Sequence, residues 1–247
     1  MIEEIRVIVV VPAYQEERQI GAMLASLPDT VDAAIVIDDA SSDGTSAAVR
    51  LARDRDPRIH LVRHVENLGV GAAIARGYRE ASLFFAGERA ALVVMAGDGQ
   101  MSPADLPAIV RPIARGEADY VKGNRFALPG VDAMPLGRQL GGRVFSALTA
   151  RATGLAISDS QCGYTALDRD VLAAGGVDLD DLWPGFGYPN DLLGQLAARG
   201  LRVAEVPVAT IYGDESSKLG LRHLPRIAWL VARAYVRRVR ARGSSRA

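Results

Sequence analysis

The sequence predicts an α/β fold: a single domain built on a doubly wound, mostly parallel sheet flanked by helices, with a basic amphipathic helix at the C-terminal end. Short β-branched runs alternate with longer helical patterns through most of the chain, as in strand–helix–strand units. The first run, residues 7–11, is apolar without interruption, which is typical of a strand buried on both faces. With 247 residues, 49% of them hydrophobic, the chain can bury a large core.

The predicted elements alternate along the chain. Strands are expected at residues 5–11, 33–37, 59–62, 91–95, 120–122, 163–167 and 203–207. Helices are expected at residues 16–27, 45–55, 70–85, 103–115, 138–153 and 190–198. The Ser-Ser-Asp sequence before the second helix and the Ser-Pro sequence before the fourth are typical of helix starts. The Gly- and Pro-rich stretch 127–137 predicts a long surface loop.

Charge is distributed unevenly. The 29 basic and 29 acidic residues cancel overall, but residues 1–215 hold 20 basic and 29 acidic groups. Residues 216–247 hold nine basic groups and no acidic one. This pattern excludes a uniformly basic nucleic-acid-binding protein and leaves open a tail that meets an anionic surface. The one cysteine, Cys162, excludes an internal disulfide framework and suits a reducing cytoplasm.

Residues 221–247 predict a basic amphipathic helix and tail. The arginines of one stripe are Arg222, Arg226, Arg233, Arg237 and Arg240, and the apolar residues opposite them are Leu224, Ile227, Val231, Ala234, Tyr235 and Val239. One interpretation is a helix lying in a membrane interface with its arginines among anionic headgroups and with Trp229 and Tyr235 at headgroup depth. The other is a final helix that packs on its own domain and exposes a solvated arginine face.

Polar, glycine-containing segments follow the first four predicted strands. Along the chain they are PAYQEE, DDASSDGT, NLGVG and AGDGQ. Each segment alone also fits an ordinary turn or helix cap. Because ligands of open α/β sheets bind beyond the carboxyl ends of the strands, four such segments in order predict a ligand site there. No G-x-G-x-x-G follows the first strand, so the dinucleotide-binding fingerprint is absent.

Seven motifs in order resemble those of one enzyme family. They are PAYQEE, IDDASSDGT, ENLGVGAA, AGDGQMSP, VKGNR, DSQCGY and EVPV followed by SSK, and they extend from Val7 to about Lys218. The chain resembles the inverting family 2 glycosyltransferases of GT-A fold and, among them, the dolichyl- or polyprenyl-phosphate sugar (mannose or glucose) transferases. The resemblance implies a catalytic domain in residues 1–220, followed by the tail.

The resemblance implies inverting transfer of a hexose from a UDP- or GDP-sugar to a polyprenyl phosphate. The enzyme would be cytoplasmic and peripheral, held at the inner face of the membrane by its C-terminal helix on the anionic surface. One alternative is the same transfer to a hydroxyl of a saccharide, protein or small metabolite. Another is a binding or regulatory protein on a degenerate form of the fold.

The resemblance also assigns residues to the donor site. It places a nucleoside pocket after the first strand, a base-reading acid after the second, and glycines that let the backbone approach the nucleotide after the third. The residues concerned are Pro12, Ala13, Tyr14, Glu16, Asp38, Asp39, Asn67, Gly69, Gly71, Gly97, Asp98 and Lys122.

By the same resemblance, Asp98 and Gln100 are the expected ligands of a divalent ion, Mg²⁺ or Mn²⁺, that bridges the donor diphosphate. Asp98 matches the second aspartate of the family's D-x-D motif. The first aspartate is replaced by Ala96, so we expect weaker metal affinity. The alternative is that arginine and lysine side chains neutralise more of the phosphate charge.

Lys122 and Lys218 are the two lysines among 29 basic residues. The motifs that contain them match family motifs near phosphates, with Arg125 alongside. A lysine is a compact, flexible point charge, which suits a phosphate contact. The alternative is the chance survival of two surface lysines.

Asp191, at the start of a predicted helix, matches the acidic residue at the family's base position and joins Asp98, Arg125 and Lys218 in the expected catalytic set. A hydroxyl acceptor needs a general base there, whereas a phosphate acceptor is already an anion. With a phosphate acceptor, Asp191 would mainly orient neighbouring groups in the site. The alternative is a first-turn acid that complements the helix dipole. Cys162 is expected to be a buried packing residue rather than a nucleophile.

Overall fold

The computed structural model describes residues 1–128, 136–209, 211 and 224–244. In these residues one sheet contains the strands β1 Arg6–Ala13, β2 Ala33–Asp38, β3 Ile59–Arg63, β4 Ala90–Val94, β5 Tyr120–Asn124, β6 Thr165–Asp168 and β7 Val203–Pro207. The helices are α1 Ile20–Ala25, α2 Thr45–Arg55, α3 Val70–Ala81, α4 Leu106–Ala114, α5 Leu136–Thr153, α6 Arg169–Ala173, α7 Tyr188–Ala198 and α8 Leu224–Ser244. Lys218 with its SSK motif, Arg222, and residues 129–135 of the predicted loop lie outside the described part.

The sheet has the strand order β3-β2-β1-β4-β6-β5-β7. The β1–β2, β1–β4, β2–β3 and β5–β7 pairs are parallel, and β6 is antiparallel to both β4 and β5. The other six described strands therefore end at one edge of the sheet, and β6 begins there. This arrangement confirms the predicted mostly parallel, doubly wound sheet and brings the segments that follow β1 to β4 to one edge.

Helices cover both faces of the sheet. Successive side chains of a strand point to opposite faces, and β1 contributes Val7, Val9 and Val11 to a core with α1, α2 and α4. Ile8 and Val10 enter a second core with α3 and α7. All five side chains are fully buried, as predicted for a central strand.

Several boundaries differ from those predicted. α1 begins at Ile20 rather than at residue 16; before it, the Glu16 carbonyl accepts from the Gln19 amide at 3.1 Å and closes a turn. α3 ends at Ala81, and Phe85 has a φ of 50°. The reversed direction of β6 and the short helix α6 are not predicted. The start of α6 does carry a local signal, since the Asp168 side chain accepts a hydrogen bond from the Asp170 amide at 2.9 Å.

α8 confirms the predicted C-terminal helix but not its orientation. It packs on α7 and α5, and Arg233 and Arg237 turn inward to carboxylates of the domain. Both sequence interpretations placed the arginine stripe outward, which is wrong for these two side chains. The exposed large apolar residues of α8 are instead Trp229, Tyr235, Val236 and Val239. Among the described helices, none is both long and apolar enough to cross a bilayer.

Candidate active site

The end of β1 and the loop that follows it contain four residues of the expected nucleoside pocket. Pro12, Ala13 and Glu16 are buried, whereas Tyr14 is 43% exposed. The Glu16 amide donates to Oγ1 of Thr45 at 2.8 Å, which ties the loop to the start of α2. Tyr14 thus presents the most accessible side chain of the four, and its ring can stack on a flat base.

Asp38 stabilises the turn after β2. Its carboxylate is fully buried, accepts from the Ser41 amide at 2.8 Å and from the Ser46 hydroxyl, and lies 3.7 Å from Nε of Arg63. These bonds join the end of β2 to α2. The structure therefore brings Asp38 into the turn rather than to a donor-binding surface.

Asp39 is the centre of a hydrogen-bond cluster where β2 and β3 end. Its Oδ1 lies 2.7 Å from Nδ1 of His64 and accepts from the Leu68 amide at 2.9 Å, while Oδ2 accepts from the Gly69 amide at 2.8 Å. Nδ2 of Asn67 donates to the Asp39 carbonyl at 3.3 Å. The structure brings Asp39, Asn67 and Gly69 together and adds His64. Its place directly after β3 is the one sequence signal that could have marked His64.

The glycines at the start of α3 pack against protein backbone. A Cβ at Gly69 would lie 2.6 Å from the Pro184 carbonyl oxygen, and a Cβ at Gly71 would overlap the Trp183 carbonyl and lie 2.9 Å from the carbonyl carbon of Pro184. Gly69 also has a φ of 95°, a conformation that favours glycine. The close approach predicted for a nucleotide is therefore occupied at both positions by Trp183 and Pro184.

Asp98 and Gln100 lie together in the turn after β4, where the Gln100 amide donates to Oδ1 of Asp98 at 3.0 Å. Gly97, between Ala96 and Asp98, packs on α1: a Cβ there would lie 2.7 Å from Cδ1 of Ile20. Across the described residues, no group of three His, Cys, Asp or Glu side chains could by itself hold a metal ion. A carboxylate and an amide carbonyl are hard oxygen ligands, and Mg²⁺ is commonly held by one or two carboxylates together with substrate phosphates and water. The pair fits a divalent ion only if phosphate or water oxygens were to complete the coordination.

Lys122 is fully buried in β5. Its Nζ donates to the carbonyl of Cys162, which is itself buried as predicted. Burial lowers the pKa of Lys122, although the carboxylates of Asp159 and Glu205 favour the charged form. A phosphate contact would require Nζ to leave the core, so the structure does not support the predicted role of this lysine.

Arg125 is fixed where β5 ends by Asp159 of the DSQCGY motif. Nε and Nη2 of Arg125 donate to the two carboxylate oxygens at 2.7 and 2.9 Å, and the Arg125 amide donates at 3.1 Å. Burial alone raises the pKa of Asp159, but the hydrogen bonds and charge of Arg125, with Lys122, outweigh it and hold the pKa below its ordinary value. Asp159 thus orients Arg125, a contact that its place in the DSQCGY motif did not reveal.

Asp191 lies in the first turn of α7 with its side chain fully buried. Its carboxylate accepts from the Trp183 amide at 2.9 Å and from Nη1 of Arg237 at 2.7 Å, and Nη1 of Arg233 lies 3.3 Å away. Burial raises the pKa of Asp191, and the two guanidinium groups and the Trp183 amide offset only part of that rise. The paired arginines come from α8, a contact that the sequence did not reveal.

The mostly parallel sheet, with acidic and glycine-containing segments at the carboxyl edge of its strands, defines a doubly wound α/β protein whose ligand site is expected at that edge. Residues 8–176 match the family described as Glycosyl transferase family 2. Because the match covers more than half of the chain, the chain belongs to glycosyl transferase family 2 and is a glycosyltransferase.

Two curated relatives are similar over most of their length. An undecaprenyl-phosphate mannosyltransferase of Micrococcus luteus is 31% identical over 213 residues, which cover 83% of this chain and 84% of the relative. A UDP-N-acetylglucosamine–dolichyl-phosphate N-acetylglucosaminyltransferase of Methanococcus voltae is 27% identical over 227 residues, 85% of this chain and 88% of the relative.

A solved structure shares the fold. Glucosyl-3-phosphoglycerate synthase from Mycobacterium tuberculosis, in complex with Mn²⁺, UDP and phosphoglyceric acid, superposes with a TM-score of 0.63 at 22% identity. The match covers 94% of this chain and 78% of that one.

Proposed function

We propose that this glycosyltransferase transfers a hexose, with inversion, from a UDP- or GDP-sugar to a polyprenyl phosphate. Relatives named for transfer to undecaprenyl and dolichyl phosphate support this acceptor class. The single structural observation that supports a phosphate rather than a hydroxyl acceptor is the burial of Asp191 between Trp183, Arg233 and Arg237. A carboxylate held in this way is not placed to remove a proton from a hydroxyl, and a phosphate acceptor needs no base.

In this reaction an oxygen of the acceptor phosphate forms a bond to the anomeric carbon. The bond from that carbon to the diphosphate breaks, and the nucleoside diphosphate leaves with the electron pair. Asp98 and Gln100 would hold a divalent ion at the diphosphate, which stabilises the charge of the leaving group. The solved neighbour contains Mn²⁺ together with UDP. Arg125 and Lys218 are the cations that we propose for phosphate contacts.

The nucleoside is proposed to bind between Tyr14 and the Asp39 cluster. A carboxylate offers about four acceptor positions, and three of those of Asp39 are directed at His64, Leu68 and Gly69. One base N–H therefore fits at Asp39, while the Tyr14 ring supplies stacking area.

The enzyme is proposed to be peripheral at the cytoplasmic membrane face, on the exposed sides of α5 and α8. These helices pack side by side and have no acidic residue, and they contain nine arginines. Two of the nine, Arg233 and Arg237, pair with Asp181 and Asp191 of the domain. Outward apolar residues with surrounding positive charge suit the interface of an anionic bilayer. The exposed large apolar side chains are Leu140, Val144 and Leu148 on α5 and Trp229, Tyr235, Val236 and Val239 on α8.

The acceptor is tested by incubating the full chain with radiolabelled UDP- and GDP-sugars, Mn²⁺ and polyprenyl phosphate in detergent. We expect label in an organic-extractable lipid that is stable to mild base and labile to mild acid. Label that appears only in a water-soluble product when phosphoglycerate or a saccharide is supplied would overturn the lipid acceptor and favour the hydroxyl alternative.

Asp191→Asn separates the two acceptor classes at saturating donor. For a hydroxyl acceptor, loss of the base lowers turnover by about 10²–10⁴-fold. For a phosphate acceptor we expect most of the turnover number to survive. The pH profile gives a second readout, because a catalytic base adds an acidic limb to turnover that disappears in Asp191→Asn.

A further inference from the structure

α8 binds one particular segment of the domain, residues 181–191 at the start of α7. Asp181 and Asp191 face Arg233 and Arg237, and each arginine contacts both carboxylates. The shortest contact to Asp191 is 2.7 Å, from Nη1 of Arg237. The guanidinium group of arginine is a rigid, planar fork with five N–H donors, whereas an ammonium group is a compact point charge on a flexible stem.

Burial distinguishes the two acids of this cluster. The Asp191 side chain is fully buried, whereas that of Asp181 is 52% exposed. Exposed pairs contribute little, but removing one partner of a buried pair leaves a desolvated charge without compensation. The Arg237–Asp191 contact is therefore the stronger of the links between α8 and this segment.

Apolar and aromatic contacts extend the same interface. The ring of Trp183 packs edge-on against that of Trp229, with centroids 6.0 Å apart, and the Arg226 guanidinium lies 4.7 Å from the Trp183 ring centroid. Gly187 has no room for a side chain, because a Cβ there would overlap Leu230. α8 thus holds the segment through aromatic and apolar side chains as well as through its arginines.

The other side of the segment reaches the start of α3. The Trp183 amide donates to Asp191 at 2.9 Å, and the next carbonyl, that of Pro184, accepts from the Gly71 and Ala72 amides at 2.7 and 3.1 Å. Amides in the first turn of a helix have no acceptor within the helix. Pro184 supplies that acceptor for α3.

Gly69 completes the connection. It precedes α3, lies against the Pro184 carbonyl, and donates its amide to Asp39. One continuous set of contacts therefore leads from Arg237 through Asp191, Trp183 and Pro184 to the proposed donor site.

We infer that Arg237 is a positioning residue of the donor site: through Asp191 it holds Trp183 and Pro184 against the start of α3, and so fixes the Gly69 amide that orients Asp39 for the nucleoside. This inference rests on the donor site of the proposed function. It makes α8 a part of the catalytic unit rather than only a tail that attaches it to a membrane. Arg237 touches neither substrate nor reacting atoms in this role.

The test measures nucleotide binding without lipid. UDP and GDP, each with Mn²⁺, are titrated calorimetrically into the full chain and four variants. Arg237→Gln and Asp191→Asn break the connection, and we expect each to raise the dissociation constant of the nucleotide that binds by about fivefold. Arg240→Gln makes the same charge change on the exposed side of α8, and Asp181→Asn removes the acid that does not contact Trp183. Both controls should stay within about twofold of wild type.

A double-variant cycle tests whether Arg237 acts through Asp191. If it does, Arg237→Gln with Asp191→Asn should bind nucleotide no more weakly than the worse single variant. Additive losses would overturn the pathway, as would wild-type affinity in both single variants. Arg237→Lys should recover only part of the affinity, since it keeps the charge without the fork.

Amide hydrogen exchange keeps the test independent of nucleotide and of gross unfolding. In folded Asp191→Asn and Arg237→Gln we expect faster exchange at Gly71 and Ala72, with the amides of β1 protected as in wild type. Unchanged protection at both amides would overturn the inference. If wild type binds neither UDP nor GDP, the proposed function fails at its donor, and exchange alone then decides whether α8 holds the start of α3.

Discussion

The Asp159 carboxylate and the Arg125 guanidinium form a two-point pair with N–O distances of 2.7 and 2.9 Å. The acid is fully buried and the arginine side chain is 15% exposed. Asp159 lies just before β6, and Arg125 follows β5 in the chain. The pair therefore joins the two motifs DSQCGY and VKGNR at the edge where the proposed phosphate contacts lie.

The pair makes stability depend on acid pH. The pKa of folded Asp159 lies below the ordinary 3.8, so between these two values the unfolded chain binds a proton that the folded chain does not. The stabilisation is complete above the ordinary pKa and is lost as the pH falls through the folded one. In urea unfolding at neutral pH, we expect Asp159→Asn to be less stable by about 3 kcal/mol. This deficit should shrink as the pH falls below 3.8 and through the folded pKa.

Asp54→Asn is the matched control for this titration. Asp54 is 69% exposed and lies 3.9 Å from Arg53, so its loss at neutral pH should change the free energy of unfolding by less than about 0.5 kcal/mol. A deficit of Asp159→Asn that stays constant down to acid pH would show that the buried pair does not titrate as described.

Gly71→Ala tests the contact between α3 and Trp183. The new methyl group would overlap the Trp183 carbonyl, so either α3 or the facing segment must move. We expect a loss of about 1–3 kcal/mol in the free energy of unfolding, measured in urea. Gly141→Ala in α5 is the control, because nothing lies within 4 Å of its Cβ position. That variant should gain up to about 1 kcal/mol, and equal effects of the two changes would contradict the packing described.

Local sequence signals predicted the positions of most elements. β7 and α2 begin and end where predicted, because β-branched runs and helix caps are properties of neighbouring residues. The direction of β6 depends on its pairing with β4 and β5, which are distant in sequence. α6, with five residues, is too short to show a helical period.

The candidate site was likewise predicted only where local signals and the shared strand edge determine it. The placement of Asp39 beside Gly69 and Asn67 followed from the shared edge of parallel strands. The packing that requires glycine at position 71 could not be predicted in this way, because its neighbour Trp183 lies more than a hundred residues away in the sequence. The inward turn of Arg233 and Arg237 likewise depends on Asp181 and Asp191, acids that the helical pattern of α8 does not contain.

Replacing Ala96 tests the metal site. Ala96→Asp restores the carboxylate that the D-x-D motif normally has, and more ligand charge strengthens binding of hard cations. With UDP present, we expect about a tenfold gain in Mn²⁺ affinity by calorimetry. Asp98→Asn should lose most metal-dependent activity, as should a chelator until Mg²⁺ or Mn²⁺ is restored. Ala96→Asn controls for size, and an equal gain in that variant would rule out the added charge as the cause.

Val239→Glu tests the membrane face of α8. Val239 is 51% exposed, and a charge there opposes insertion into the interface. We expect about tenfold weaker binding to phosphatidylglycerol vesicles in co-sedimentation. Nucleotide binding should be unchanged. Leu83→Glu is the control, since Leu83 is 75% exposed but lies beyond the end of α3. An equal loss of vesicle binding in both variants, or no loss in either, would contradict α8 as the part of the protein that contacts the membrane.

Lys122→Met separates a structural lysine from a phosphate contact. Because Nζ donates to the Cys162 carbonyl within the core, we expect the nucleotide dissociation constant to stay within about twofold of wild type. A direct phosphate contact would instead give about a tenfold loss that weakens with added salt.

The alkaline pH dependence of stability gives an independent readout of Lys122. Burial holds the pKa of folded Lys122 below 10.5, so between these values the unfolded chain carries a proton that the folded chain has released. Wild type therefore gains stability from this group as the pH rises through that window. Lys122→Met lacks the titrating group and does not gain this stability. As the pH rises through the window, the free energy of unfolding of wild type should therefore increase relative to that of Lys122→Met. A constant difference, together with lost nucleotide affinity, would place Nζ at a phosphate instead.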